Sequence, residues 1–251
     1  MRSIALSLAV LFASPLAACV ESADDLGTEE AELHGPLVAP SGPPQTMLLR
    51  FHGSPGARGS ATLIRQDLVL TNKHVVDWTG PGTVFVQLGD APVFEVDGYE
   101  VITKWQSPTA DLAILQLACS FHPADILAAP LSRSNKDLFK ASSVTLSSYG
   151  PTSWYGTDWG IKRQGTIALP SPAFAWGSTW STTGVIGSSP GDSGGSLYFN
   201  IGSERVLAGV TTWGSMNDGI HYAAGQRVDA NLAWIDPILN TAPVQPRCPR
   251  L

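Results

Sequence analysis

From Met47 onward the chain is a succession of short apolar runs bounded by turn residues. MLLRF, ATLIR, LVLTN, TVFVQL, FEVDGYEVIT and LAILQL follow one another at short spacing. Several alternate apolar with polar positions or are rich in β-branched side chains, which is the pattern of strands. The stretch FHPADILAAPLSRSNKDLF, within residues 120–142, lacks it and reads as a connection. A second group follows: SVTLSSYG, KRQGTIAL, SLYFN, RVLAGVTTWG and HYAAGQRV. DANLAWIDPILN then puts apolar residues at helical spacing behind Asp229, a candidate N-cap, and PVQPRCPRL is a tail. Two groups of about six short strands and one terminal helix predict an all-β protein. The architecture expected is two packed six-stranded antiparallel β-barrels with a C-terminal α-helix. The domain covers 46–240, with barrels at about 46–125 and 138–228, the helix at about 229–240, and a tail at 241–251. Binding sites in such proteins tend to lie between the two units.

Upstream of Met47 the character changes. Arg2 precedes a largely apolar run, residues 4–12, and mostly small residues follow to Ala18. The run is too short to span a bilayer as a stable helix, so residues 1–18 read as an export signal. Leu16-Ala17-Ala18-Cys19 resembles a lipobox, in which Cys19 is lipidated and attaches the chain to a membrane; the alternative is an ordinary signal peptide that contains a cysteine. Residues 19–45, acidic and then rich in Pro and Gly, read as a tether or pro-segment. With Cys19 lipidated, Cys119 and Cys248 are left to pair in an oxidising compartment; the alternative is two free thiols.

Composition narrows the function. The 251 residues are 43% hydrophobic and only 14% charged, against about 25% charged in an average soluble protein. The net charge is −6, and residues 20–32 alone hold six acids and no Lys or Arg, so the remainder sums to zero. No basic patch suggests a nucleic-acid partner. There is no HExxH, no CxxC pair and no P-loop, so neither a metal nor a nucleotide or other cofactor is expected. A monomer is expected.

The densest chemical signal is SPGDSGGS, residues 189–196, where glycines, an aspartate and serines crowd around Ser193. A serine hydroxyl is a weak nucleophile unless a base lies within reach and the base is itself oriented. His74, in LTNKHVVD, follows the apolar run at residues 68–70 and so sits at a strand end. Asp111 heads the apolar run LAILQL, where a charge needs a partner. His34, His52, His122 and His221 lack such a setting and read as surface or structural residues. A flexible loop is the plain alternative for the glycines, but the order His74, Asp111, Ser193 is one of the known chain orders of a Ser-His-Asp triad.

These motifs resemble those of the chymotrypsin/trypsin-like serine protease family over about residues 47–240. TNKHVV resembles the histidine motif, DLAIL the aspartate motif and GDSGGSL the serine motif. The resemblance implies a serine endopeptidase acting on protein or peptide substrates, in which Ser193 attacks the carbonyl, His74 moves the proton and Asp111 orients His74. It further implies an oxyanion hole from the N–H groups of Gly191 and Ser193, a buried Asp192 supporting that turn, and substrate contacts at Thr212, Trp213 and Gly214, with Thr212 able to bond Asp111. Trp213 read without the resemblance is a core aromatic. Gly187 stands where trypsins carry the acid that selects Lys or Arg, so a trypsin-like preference is not expected. Gly214 is expected to leave one pocket wall open, and residues 221–225 to form the other.

The chain departs from many animal members in having Val75 after His74 and Gly59 where a partner cysteine would stand. TNKHVVD is closer to the bacterial glutamyl-endopeptidase branch. Cleavage after Glu32 would create a new N-terminus at Leu33-His34-Gly35-Pro36, the candidate for insertion beside Asp192; the alternative is that none is needed. A catalytically silent binding or adhesion protein on the same fold is the competing function. A periplasmic chaperone-protease would carry a further peptide-binding domain.

Overall fold

The computed structural model describes residues 43–52, 58–77, 79–80, 83–88, 98–151, 157–158, 160–168, 173–176, 179–184, 187–217 and 220–249. The segment read as an export signal, Cys19, Leu33, His34 and the acidic stretch lie outside these residues.

Six strands close into a barrel: β1 (Thr46–Phe51), β2 (Arg58–Arg65), β3 (Leu68–Thr71), β4 (Val84–Gln87), β5 (Tyr99–Gln106) and β6 (Ala113–Leu117). Their order is β1-β2-β3-β6-β5-β4, and β1 pairs with β4 to complete the ring. Period-2 alternation puts Met47, Leu49, Phe51, Leu63, Val69, Val86 and Leu115 inside. A single helical turn, α1 (Lys73–Val76), follows β3.

β3 and β6 are buried on both faces. Their second face, with Leu68, Leu70 and Ile114, packs with Leu112 against Tyr198, Leu207, Val210, Val228 and Ile235 of the C-terminal half. That double burial is why LVLT and AILQL read as continuous apolar runs rather than alternating ones. The core between the two halves therefore sits directly behind the segments that carry His74 and Asp111.

The connection contains one short helix, α2 (Asp137–Lys140). The second sheet has seven strands: β7 (Ser143–Ser148), β8 (Arg163–Ala168), β9 (Ala173–Trp176), β10 (Thr179–Gly184), β11 (Ser196–Ile201), β12 (Glu204–Asn217) and β13 (Ile220–Arg227). They run in the order β8-β7-β11-β12-β13-β10-β9, and no pairing closes the edges among the described residues. The expected second six-stranded barrel is thus corrected to a seven-stranded sheet. AFAW is a run of only four apolar residues and TWSTTG is rich in Ser and Thr, yet they form the hairpin β9–β10, in which β10 pairs with β13 and β9 with β10.

The C-terminal helix is α3 (Leu232–Thr241), preceded by a 3-10 turn at Asp229–Asn231. Asp229 is not its N-cap. Its carboxylate pairs with Arg227 at 2.5 Å, and Asn231 occupies the cap position. Residues 242–248 pack back on the barrel: Arg65 donates to the carbonyls of Leu239 (2.8 Å) and Ala242 (2.9 Å), and Cys248 N–H donates to the Ser120 carbonyl (2.9 Å). A Cys119–Cys248 disulfide locks this return. It joins positions 129 residues apart.

Candidate active site

Pairing of β3 with antiparallel β6 sets Thr71 opposite Ala113. His74, just beyond β3, and Asp111, just before β6, therefore leave the barrel at the same end and side by side. His74 Nδ1 lies 2.7 Å from Asp111 Oδ2, and the His74 backbone N–H donates to Asp111 Oδ1 at 2.9 Å. Lys104 on β5 holds the far end of the helical turn, donating from Nζ to the carbonyls of Val76 (2.6 Å) and Thr79 (2.8 Å). Burial pushes the Asp111 carboxyl up, but the hydrogen bonds from the His74 ring and backbone and the electrostatic attraction of His74 outweigh it, and Asp111 stays below the usual carboxylate range. An ionised Asp111 takes the Nδ1–H tautomer of the ring and leaves the Nε2 lone pair free to accept a proton.

Ser193 lies on the turn that enters β11. Gly191 and Gly194 adopt φ of 101° and 87°, values that favour glycine. At Gly194 a Cβ would also overlap the Ser60 carbonyl and Thr71 Oγ1. The Ser193 carbonyl accepts from Ser60 N–H at 2.8 Å, and Gly194 N–H donates to the Thr211 carbonyl at 2.8 Å. Asp192, only 1% exposed, sits under the turn. Its Oδ1 accepts from Ser148 Oγ (2.5 Å) and Gly150 N–H (2.9 Å), and its Oδ2 from Ser189 N–H (2.6 Å). Burial pushes this carboxyl up to about 6, against the downward pull of those hydrogen bonds and of the Arg163 charge. Among the described residues no protein acceptor takes the N–H of Gly191 or of Ser193.

Ser193 Oγ donates to the Thr212 carbonyl at 3.2 Å. Thr212 is the extra residue of a bulge in the β12–β13 pairing, where the register shifts between Thr211 and Trp213, and a bulge re-aims its side chain. Its Oγ1 accepts from Asn72 Nδ2 at 3.0 Å and makes no bond to Asp111, whose carboxylate is occupied by His74. Trp213 is 55% exposed rather than in the core. Gly214 does not face an open wall on its Cα side: a Cβ there would overlap the carbonyl and Oγ of Ser188. Ser188 Oγ is itself buried without a hydrogen-bond partner. Gly187, beside it, is buried and carries no charge. Ala223, Ala224 and Gly225 lie buried on β13, pairing with Gly214, Trp213 and Thr211; the side chain of His221 falls outside the described residues.

Gly59 and Val75 do face each other, a Cβ on Gly59 falling 2.6 Å from Val75 Cγ1, so packing fills the place of a disulfide. His52 lies at the end of β1 and His122 beyond β6, neither bonded to His74, Asp111 or Ser193. Among the described residues no cluster of three or more His, Cys, Asp or Glu could hold a metal. One residue with a prominent place received no role from the sequence: Asn72, whose side chain bonds Asp111, Thr212 and Gly194. An Asn directly before a helical turn reads simply as a cap.

A two-sheet β protein with a His–Asp pair beside a Gly-flanked serine belongs to a recognisable class, and similarity to known proteins gives it a family. The trypsin family model, described as "Trypsin", matches residues 38–235. The chain belongs to the trypsin family. It is 30% identical over 213 residues to a protein of Macaca fascicularis named chymotrypsin-like elastase family member 1, covering 70% of this chain and 76% of that protein. The Homo sapiens protein of the same name is 29% identical over 228 residues, covering 76% and 82%.

Proposed function

We propose that this chain is a serine endopeptidase that works through His74, Asp111 and Ser193. The observation that carries the reading is the His74–Asp111 pair, bonded twice, held against the turn that presents Ser193. Ser193 Oγ turns about χ1 from the Thr212 carbonyl towards His74 Nε2 when substrate binds; catalytic hydrogen bonds are often unmade in free enzymes. Nε2 takes the hydroxyl proton as Oγ bonds to the scissile carbonyl carbon, and the imidazolium formed is stabilised by Asp111. The same proton passes to the leaving amine as the C–N bond breaks. Water, deprotonated by His74, then attacks the acyl carbon, and His74 returns that proton to Ser193 Oγ as the acyl C–Oγ bond breaks. The unclaimed N–H groups of Gly191 and Ser193 receive the negative oxygen, each worth about 3–4 kcal/mol of barrier in related chemistry.

The P1 preference we infer is for an uncharged, apolar side chain. Gly187 supplies no carboxylate for Lys or Arg, and the nearby buried polar group is the Ser188 hydroxyl. The likeness of TNKHVVD to glutamyl endopeptidases rests on that segment alone. We read residues 1–18 as the export signal and Cys19 as a lipid attachment point, which makes the enzyme exported, either membrane-anchored or secreted.

A panel of chromogenic tetrapeptides differing only at P1 tests this reading. Hydrolysis of the Ala, Val, Leu or Phe members, at least tenfold above the Lys and Glu members and absent in Ser193→Ala, is expected. Preference for Lys would overturn the specificity. No turnover of any member by a folded protein would favour the silent binding module.

A further inference from the structure

Asn72 sits at the N-cap position of α1, with φ −82° and ψ 148°, and its side chain makes no capping bond to that helix. Asparagine at this position ordinarily accepts from the second or third N–H of its own helix. Here the His74 N–H goes to Asp111 instead. The Asn72 amide, fully buried, turns to three other segments. Nδ2 donates to the Asp111 backbone carbonyl at 2.9 Å and to Thr212 Oγ1 at 3.0 Å. Oδ1 accepts from Gly194 N–H at 2.6 Å.

These partners are the supports of the catalytic groups. The Gly194 N–H belongs to the peptide that follows Ser193. The carbonyl of that same peptide accepts from Ser60 N–H, on a strand of the barrel. With Asn72 on its N–H side, the peptide plane is fixed from the barrel at both edges, and its orientation sets the Cα–Cβ direction of Ser193. Thr212, held by Asn72 through its hydroxyl, supplies the carbonyl on which Ser193 Oγ rests. Asp111 is held by Asn72 through its main chain while its carboxylate faces His74.

We infer that Asn72 is a positioning residue: one buried amide that fixes Ser193, on the second sheet, in register with the His74–Asp111 pair on the barrel. The inference rests on the protease reading above. It accounts for an asparagine two residues before His74 that does not cap its own helix. It also requires that both ends of the amide be used, since a carboxylate would place an acceptor against the Asp111 carbonyl, and an alkyl group would remove the bonds to Asp111 and Thr212 and leave the Gly194 N–H only the Thr211 carbonyl, on its own sheet.

The test compares wild type, Asn72→Ala and Asn72→Asp in the full chain, each measured per folded molecule by circular dichroism. The rate of labelling by a fluorophosphonate, kcat and KM on the best chromogenic tetrapeptide, and the pH profile of kcat/KM are recorded. Both variants are expected to label at least 30-fold more slowly, with kcat reduced in parallel and KM within threefold of wild type. Asn72→Asp is further expected to move the acid limb of the profile to higher pH, because its added negative charge favours the imidazolium. Asn72→Asp keeps size and the Gly194 acceptor, so it serves if Asn72→Ala does not fold. Labelling at the wild-type rate by either folded variant overturns the inference, as does an equal loss that returns fully on cooling, which would mark mere stability. Wild type that takes no phosphonate overturns the protease reading itself and this inference with it, and only that outcome appears in the wild-type sample.

Discussion

Replacing Asp192 by Asn isolates the consequence of burying a charge beneath the serine turn. In the folded protein the carboxyl is raised from the ordinary 3.8 to about 6, burial being the main cause. The folded state therefore holds the proton more tightly than the unfolded chain. Between pH 4 and 6 the folded protein binds more protons than the unfolded one, so stability falls as the pH rises through that window. The contribution is fully present below about pH 4 and lost above the folded value. A separation of about two pH units at about 1.4 kcal/mol each gives a loss of about 3 kcal/mol. The side-chain amide of the Asp192→Asn variant has nothing to ionise, so the variant escapes this loss. It also carries a fixed penalty. Gly150 N–H and Ser148 Oγ donate to one carboxylate oxygen and Ser189 N–H to the other, and an amide must set its NH2 against one of them, which costs about 1–3 kcal/mol. That penalty does not vary with pH. Urea unfolding of both proteins at pH 4, 5, 6 and 7 separates the two effects: the stability of the variant relative to wild type should improve by about 2.4 kcal/mol from pH 4 to 7, because the unfolded carboxyl is already partly ionised at pH 4. A difference that stays flat would refute the raised carboxyl and would mean that a cation additional to Arg163 meets Asp192, the result required by an N-terminus inserted after cleavage at Glu32.

Other perturbations have separate expected outcomes. Asp111→Asn should lower kcat about 10⁴-fold, as in a related protease, because both carboxylate oxygens accept from His74 and an amide forces the ring into the wrong tautomer; steady-state kinetics measure it. Gly194→Ala should destabilise by more than about 3 kcal/mol, combining a left-handed backbone with overlap on Ser60 and Thr71, read from the urea midpoint. Ser188→Ala should leave stability within about 1 kcal/mol, since it removes a hydroxyl without a partner, and should change relative kcat/KM across the P1 panel. Replacing Cys119 and Cys248 by Ser should lower stability by about 2–5 kcal/mol with kcat on the tetrapeptide unchanged, because the bridge joins the far end of β6 from Asp111.

Reading the sequence worked where one physical pressure dominated. The barrel strands were legible because their apolar residues alternate, and β3 and β6 because burial on both faces makes their runs continuous. Ser193, His74 and Asp111 stood out because reactive residues were set among glycines or at the ends of apolar strands. Legibility failed where long-range pairing decided the outcome. β9 is too short a run and β10 too rich in Ser and Thr to stand out, and they become strands through the pairing of β10 with β13 and of β9 with β10. Asp229 looks like a cap from its neighbours, but Arg227 two residues away claims it. Thr212 was expected to reach Asp111, and a bulge turns it to Asn72 instead. Asn72 itself is indistinguishable in sequence from an ordinary cap, because its partners are 39 to 140 residues distant.

The central claim is that Ser193 is an activated nucleophile. Intact-mass spectrometry of the purified protein before and after a fluorophosphonate, with Ser193→Ala alongside, tests this most directly. One adduct on wild type and none on Ser193→Ala is predicted, and the unlabelled mass also reports whether residues 20–32 or a lipid remain. No adduct on a processed, folded wild-type protein would contradict the claim.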